Sequence, residues 1–168
     1  RVAVAAAATL AVGLGLPQRA AAQGKSALNL AMVAEPPTLD VQSTPADLVC
    51  IIMQHVYETL YTFDAKANLV PMLAESMPKV SADGKQYTIA LRKGVKLHNG
   101  RELDAEDVVG SLKRWMEVSP RGKSVGAQVE RLAAKGPLTV ELVLKNPYAP
   151  LIAQLAMPSG MAAIMAKE

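Results

Sequence analysis

The chain has 168 residues, which is room for about one domain. Its net charge of +3 falls to +1 without residues 1–22, because that segment holds Arg1 and Arg19 and no acidic residue. So small a charge gives no argument for a nucleic-acid or anionic-surface partner. The hydrophobic content of 51% comes partly from the same segment and does not indicate a membrane protein.

Residues 1–22 have the pattern of a secretory signal peptide. Val2–Leu16 is an uncharged run that Pro17 ends, and Ala20-Ala21-Ala22 offers a small-residue cleavage site. The run has about fifteen residues, fewer than the roughly 20 that span a bilayer, which disfavours the alternative of an uncleaved anchor helix. We expect a mature chain that starts near Gln23, outside the cytoplasm.

Two elements are predicted early in the mature chain. Leu28–Val33 is predicted to form a strand, which Pro36 and Pro37 end because proline lacks an amide donor. Thr44 as a cap and Pro45 at the first helical position predict a helix to about residue 60. Its apolar residues lie nearly all round, so we expect it to be buried.

Cys50 is the single cysteine, so the chain cannot form an internal disulfide. It lies in the apolar run Leu48–Met53, which favours a small buried hydrophobic residue. A reactive thiol is the alternative, although no basic neighbour in sequence lowers its pKa.

The stretch Tyr87–Arg114 carries three local signals in succession. Apolar and polar residues alternate from Tyr87 to Leu91, which predicts a strand between the turn dipeptides Asp83-Gly84 and Asn99-Gly100. Asp104 then has the position of a helix cap. The helix that follows is predicted to bury one face, made of Val108, Leu112, Trp115 and Met116.

The remaining segments give weaker patterns. Gly122-Lys123-Ser124 resembles the end of a phosphate-binding loop, but position 117 is Glu and a helix precedes it, so we interpret the segment as a solvated loop. Further predicted elements are a strand at Met77–Ser81, a helix at Val125–Ala133, a strand at Leu138–Leu144, a helix at Tyr148–Leu155 and a buried strand at Met161–Met165.

Recognisable catalytic motifs are missing from the sequence. His55 and His98 are the only histidines, and neither stands in a metal-binding cluster. His55 is expected in a core or an interface, and His98 in an exposed turn. Ser159-Gly160 lacks the flanking residues of a nucleophile elbow. We therefore predict no enzyme activity, no cofactor and no protein-bound metal.

Two ordered motifs carry a family resemblance. Tyr-Thr-Ile-Ala-Leu-Arg-Lys-Gly-Val-Lys-Leu-His-Asn-Gly, from residue 87, continues into Leu-Asp-Ala-Glu-Asp-Val at residue 103. Pro-Met-Leu-Ala-Glu-Ser precedes it at residue 71. Together they resemble the family 5 extracellular solute-binding proteins of bacterial ABC importers. Leu97 departs from the family's usual aromatic residue, at a position that we interpret as packing.

The resemblance implies a fold and its extent. Members are type II periplasmic binding proteins, with two α/β lobes built on mixed sheets. They are much longer than this chain, so residues 23–168 are expected to be the N-terminal part of such a domain. The lobes assemble from discontinuous segments, so we expect residues 23–168 to be poorly soluble when expressed alone.

The resemblance also implies a function. It predicts a periplasmic subunit, monomeric when full length, that captures a di- or oligopeptide and delivers it to membrane permease subunits. Nickel, a metal chelate or a sugar are alternative ligands within the family. A secreted hydrolase with paired carboxylates is the alternative from another class. By resemblance, the ligand contacts are expected at the start of the first helix, at Pro45, Ala46, Asp47 and Cys50.

Overall fold

The computed structural model describes residues 31–167. The predicted signal peptide lies outside this range. Residues 28–30 of the predicted strand Leu28–Val33 also lie outside it, and residues 31–33 do not form a strand. In chain order the elements are α1 (Asp47–Met53), β1 (Tyr61–Phe63), β2 (Leu69–Pro71), β3 (Lys79–Val80), β4 (Gln86–Ala90), α2 (Ala105–Val118), α3 (Pro120–Gly126), β5 (Val129–Gly136), β6 (Thr139–Leu144) and α4 (Leu151–Ala156).

Two sheets organise these elements. β1 and β2 form a hairpin, and the larger sheet has the order β3-β4-β6-β5. The predicted strand around residue 89 is confirmed as β4, which pairs with β6 from Gln86 opposite Val143 to Ala90 opposite Thr139. All strand pairs within residues 31–167 are antiparallel.

The main core lies between α2 and the larger sheet, because α2 packs against β5 and β6. The predicted apolar face of α2 is confirmed, since Val108, Leu112 and Trp115 are each at most 2% exposed. Burial of one such side chain stabilises the fold by about 1.5–3 kcal/mol. Ile89 and Leu142 complete this layer from the sheet.

The start of α2 is held by a reciprocal cap. Asp104 is the N-cap as predicted, and its carboxylate accepts from the Asp107 N–H at 2.9 Å. The Asp107 carboxylate accepts in return from the Asp104 N–H at 3.0 Å and from the Lys167 N–H at 2.8 Å. It also pairs with the Arg101 guanidinium. Asp107 thus ties the helix start to the end of the described chain.

We expect Asp107→Asn to lower the free energy of unfolding of the full-length protein at pH 7 by about 1–3 kcal/mol. Burial raises the pKa of Asp107, but hydrogen bonds from Arg101, Lys167 and Asp104 outweigh it, so the pKa is lowered overall. A lowered pKa stabilises the fold above the unfolded value of about 4, and this contribution is lost as pH falls through the folded value.

Urea unfolding at pH 7 and in steps below pH 4 measures this effect. The variant should start less stable and lose less on acidification than the wild type. Glu106→Gln is the matched control, because Glu106 is exposed on the same helical turn, and it should change stability by less than about 0.5 kcal/mol. Parallel acid profiles for wild type and Asp107→Asn would contradict the prediction.

The helix predicted from Pro45 to about residue 60 is wrong at both ends. α1 begins at Asp47 with Ala46 as N-cap, and the Thr44 hydroxyl accepts from the Ala46 N–H at 3.2 Å. α1 ends at Met53 because Leu60 must be extended, where its carbonyl accepts from residue 72 at 2.9 Å. Nor is the segment buried all round, since Ile51 is 52% exposed and Val56 is 41% exposed.

The segment after α2 also differs from the prediction. The predicted loop is α3, with Pro120 at its first turn, and the predicted helix Val125–Ala133 is instead the end of α3 and most of β5. A register shift between Val129 and Arg131 marks a β-bulge. Because of the bulge, Val129 and Leu132 both pack against the core although they are three residues apart in sequence. That spacing is typical of a helix, so the sequence pattern does not indicate the strand.

Other predicted elements are confirmed in part. β6 agrees with the predicted strand, α4 begins later than predicted, and β3 is limited to Lys79–Val80. Met161–Ile164 is buried as predicted but is not a strand. Leu97 packs against the main core as predicted. His98 is exposed as predicted. His55 is also exposed, so the core position predicted for it is wrong and the predicted alternative, an interface, stays a prediction.

Candidate functional site

The predicted ligand contacts lie in residues 44–50, which we call the site segment. Pro45 and Asp47 are exposed and Ala46 is half-buried. Cys50 is 3% exposed, which confirms it as a small buried hydrophobic residue. It packs in a second apolar cluster with Val41, Val49, Met53, Met161 and Ala163. A ligand on this surface would therefore reach Pro45, Ala46 and Asp47 first, and Cys50 lies below them.

Residues 157–161, which we call the site loop, pack directly on the site segment. The Ser159 hydroxyl donates to the Pro45 carbonyl at 3.0 Å. Gly160 adopts φ of 59°, in the left-handed region that favours glycine, and a Cβ there would contact the Pro45 backbone at 3.8 Å. The predicted contact residues are thus placed by a loop more than a hundred residues away in sequence.

The site loop is in turn fixed by α2 and α3. The buried Trp115 indole N–H donates to the Gly160 carbonyl at 2.8 Å. The Arg121 guanidinium donates to the Ser159 carbonyl at 3.2 Å and to the Gln154 side-chain oxygen at 2.9 Å. Trp115 therefore both packs in the core on the apolar face of α2 and, together with Arg121, fixes the position of the site loop.

Residues 38–43, which we call the entry turn, lead the chain into the site segment. The Arg114 guanidinium donates to both Asp40 carboxylate oxygens, at 3.1 and 2.6 Å, and to the Gln42 side-chain oxygen at 2.8 Å. The hydrogen bond from Arg114 is the main cause that lowers the pKa of Asp40. The fully buried Gln42 amide donates to the carbonyls of Ser111 at 3.2 Å and Ala163 at 2.8 Å.

Two cavities flank the turn that follows α1, and Gln54 and Tyr57 line both. The smaller one, about 90 Å³, is also lined by Pro158 and Met161 of the site loop. The larger one, about 440 Å³, is also lined by His98, whose ring centroid lies 6.4 Å from that of Tyr57. None of Pro45, Ala46, Asp47 and Cys50 lines either of these two cavities, and the smaller one is connected to them only through Met161, which also packs in the cluster with Cys50.

Within residues 31–167, no group of three or more His, Cys, Asp or Glu side chains is placed to hold a metal ion. The same residues contain no helix with the length and apolar character required to cross a bilayer.

The site loop and the lining residues Gln54 and Tyr57 were not predicted from the sequence. Pro158-Ser159-Gly160 carries a turn signal that could have marked the loop. Nothing local showed that this turn lies against Pro45. Its position follows from Trp115 and Arg121, whose side-chain partners lie 45 and 38 residues away in sequence.

The profile described as "Bacterial extracellular solute-binding proteins, family 5 Middle" matches residues 68–168. The chain belongs to this family. It is 34% identical to "Di/tripeptide-binding protein 4" of Pseudomonas aeruginosa, over 89% of this chain and 32% of that protein. Alignment with solved structures confirms the predicted type II periplasmic binding protein fold for this part of the family's structure.

Solved structures support the same assignment. A dipeptide-binding protein of Pseudoalteromonas in complex with Met-Leu aligns with a TM-score of 0.71 at 27% identity, over 80% of this chain and 30% of that one. NikA from Brucella suis in complex with Fe(III)-EDTA aligns with a TM-score of 0.63 at 33% identity, over 70% and 24%. The chain spans about a third or less of the length of these family 5 relatives.

Proposed function

We propose that this chain belongs to the substrate-binding subunit of an ABC importer, and that the subunit captures a di- or oligopeptide in the periplasm. The observation that carries the proposal is the 34% identity to a di/tripeptide-binding protein, which extends over 89% of this chain. The dipeptide-bound structural relative supports the same ligand class.

The geometry suits capture without a covalent step. Pro45, Ala46 and Asp47 lie at the surface on a segment held from both sides, by the entry turn and by the site loop. A peptide offers backbone and terminal groups that every sequence shares, so a fixed surface of this kind can bind many peptides. Closure of two lobes by hinge motion would complete the site, and the closed form would dock on the permease.

A metal chelate is the second candidate ligand, favoured by the similarity to NikA in complex with Fe(III)-EDTA. A chelated ion needs few protein ligands, so the lack of a His, Cys, Asp and Glu cluster within residues 31–167 does not decide against it. Sugars are a further possibility within the fold. A secreted hydrolase with paired carboxylates is the alternative from another class.

Native mass spectrometry of the full-length mature protein tests the proposal. The native mass is compared with the denatured mass, and fragmentation of any extra mass separates peptide, chelate and sugar. We expect a peptide. A chelate or sugar would overturn the ligand class, and turnover of peptides by the purified protein would favour the hydrolase.

A pair of variants connects that result to the predicted contacts. Asp47→Arg places a long charged side chain over the site segment and should reduce the co-purified mass. Glu130→Arg makes the same charge change on an exposed position of the edge strand β5 and should leave it unchanged. Equal occupancy in both variants would argue against Pro45, Ala46, Asp47 and Cys50 as the ligand contacts.

A further inference from the structure

We infer that Arg114 is a positioning residue for solute binding, acting through Asp40 and Gln42 on the site segment that follows them. The inference rests on the proposed function and names a residue outside the predicted contacts. Arg114 lies on α2 and touches none of Pro45, Ala46, Asp47 or Cys50 through a hydrogen bond in residues 31–167. Its effect on a solute would therefore be indirect.

In the first step, Arg114 holds the entry turn through three side-chain hydrogen bonds. A guanidinium bound to both oxygens of Asp40 and to Gln42 at once fixes orientation as well as distance. The Asp40 carboxylate and carbonyl in turn accept from the N–H groups of Gln42 at 3.2 Å and Ser43 at 3.1 Å. Arg114 thus holds a turn that is already closed on itself.

The second step is the transfer of this position to the site segment. The Gln42 side chain is fully buried and spans the gap between α2, at Ser111, and the chain beside the site loop, at Ala163. Only Ser43 separates Gln42 from the site segment. With Arg114 removed, the Gln42 side-chain oxygen and the Asp40 carboxylate lose the donor that orients them, and the entry turn keeps only the Gln42 amide bonds to Ser111 and Ala163.

The third step is energetic. The Arg114 side chain is 44% exposed and that of Asp40 is 32% exposed, so their attraction is screened and contributes modestly to global stability. A contact that is worth little for folding but fixes orientation should change ligand affinity more than it changes unfolding. Affinity and stability can therefore be separated experimentally.

The test compares Arg114→Gln and Arg114→Lys in the full-length protein, with Lys113→Gln as the matched control on the neighbouring exposed position of α2. The probe is a dipeptide pool that includes Met-Leu, screened by thermal shift on the wild type. The best member is then used in isothermal titration. We expect Kd to rise about tenfold in Arg114→Gln, with the fraction of binding-competent protein unchanged. The Kd of Arg114→Lys should lie between those of the wild type and Arg114→Gln, because lysine keeps the positive charge but lacks the planar guanidinium that donates to several acceptors at once.

A merely structural role would give the opposite division, with a lower competent fraction and an unchanged Kd. That result, or equal Kd values for Arg114→Gln and Lys113→Gln, would overturn the inference. Hydrogen exchange without solute adds a second readout, in which residues 38–50 should lose protection in Arg114→Gln while β4 and β6 keep theirs. Failure of the wild type to bind any peptide would overturn the proposed function, and the exchange result would then decide on Arg114 alone.

Discussion

Gly122→Ala is expected to lower the free energy of unfolding of the full-length protein by about 3 kcal/mol. A Cβ at Gly122 would lie 2.6 Å from the carbonyl carbon of Trp115 and would overlap its oxygen. That oxygen already accepts from the Ser119 N–H at 3.0 Å at the end of α2. A backbone carbonyl in a helix cannot turn aside as a side chain can, so α3 would have to move away from α2.

Two other glycines serve as controls for this prediction. Gly110 lies on the exposed side of α2 with open space around it, so Gly110→Ala should raise stability by about 0.5–1 kcal/mol through helix propensity. A Cβ at Gly126 would lie 3.1 Å from the Met116 Cβ, which is a tight contact without the overlap found at Gly122, so its substitution should fall between the two. Urea unfolding measures all three. Similar stabilities for Gly122→Ala and Gly110→Ala would show that α3 is not held closely against α2.

Trp115→Ala is expected to cost about 3–5 kcal/mol of stability, because it removes the largest fully buried side chain of the described core. Trp115→Phe keeps much of the apolar contact but removes the indole N–H. The buried Gly160 carbonyl then loses its donor, which should cost about 1–3 kcal/mol. The two variants thus separate the packing contribution from the hydrogen bond.

The phenylalanine variant should also weaken solute binding, because Gly160 belongs to the site loop that contacts Pro45. Thermal unfolding and titration with the same dipeptide measure the two effects together. Tyr148→Phe, at a partly buried aromatic position of the main core, should change stability by less than about 0.5 kcal/mol and leave Kd unchanged. A Trp115→Phe protein with wild-type stability and affinity would contradict this role of the indole N–H.

Elements with a complete local signal were predictable from the sequence. β4 has alternating residues between two turn dipeptides, and α2 has a cap followed by an apolar face, so neither needs distant partners to be recognised. α1 and β5 were not predictable in the same way. The apolar period of α1 runs on into Val56, but the N–H groups of Met72 and Ala74 bond to the Leu60 carbonyl and hold Leu60 extended. In β5 the bulge between Val129 and Arg131 disturbs the alternation.

The candidate site could be predicted only in part, for the same reason. The family resemblance implied the contacts Pro45, Ala46, Asp47 and Cys50, and that assignment stays a prediction. What holds them in place comes from Arg114, Trp115 and Ser159, which lie 64 residues or more further along the chain. Hydrogen bonds across such separations leave no periodic trace in a single sequence.

The bond between Gln42 and Ala163 has a consequence for the order of folding. It joins residues 121 positions apart, and closing a loop of that length costs about 4 kcal/mol in chain entropy. The hairpin of β5 and β6 closes over a few residues and carries no such cost. The sheet and α2 should therefore form early, and the entry turn and α1 should dock last. By the same reasoning, the surface proposed to meet the solute belongs to the part of the described chain that opens most readily, so solute and fold would stabilise each other there.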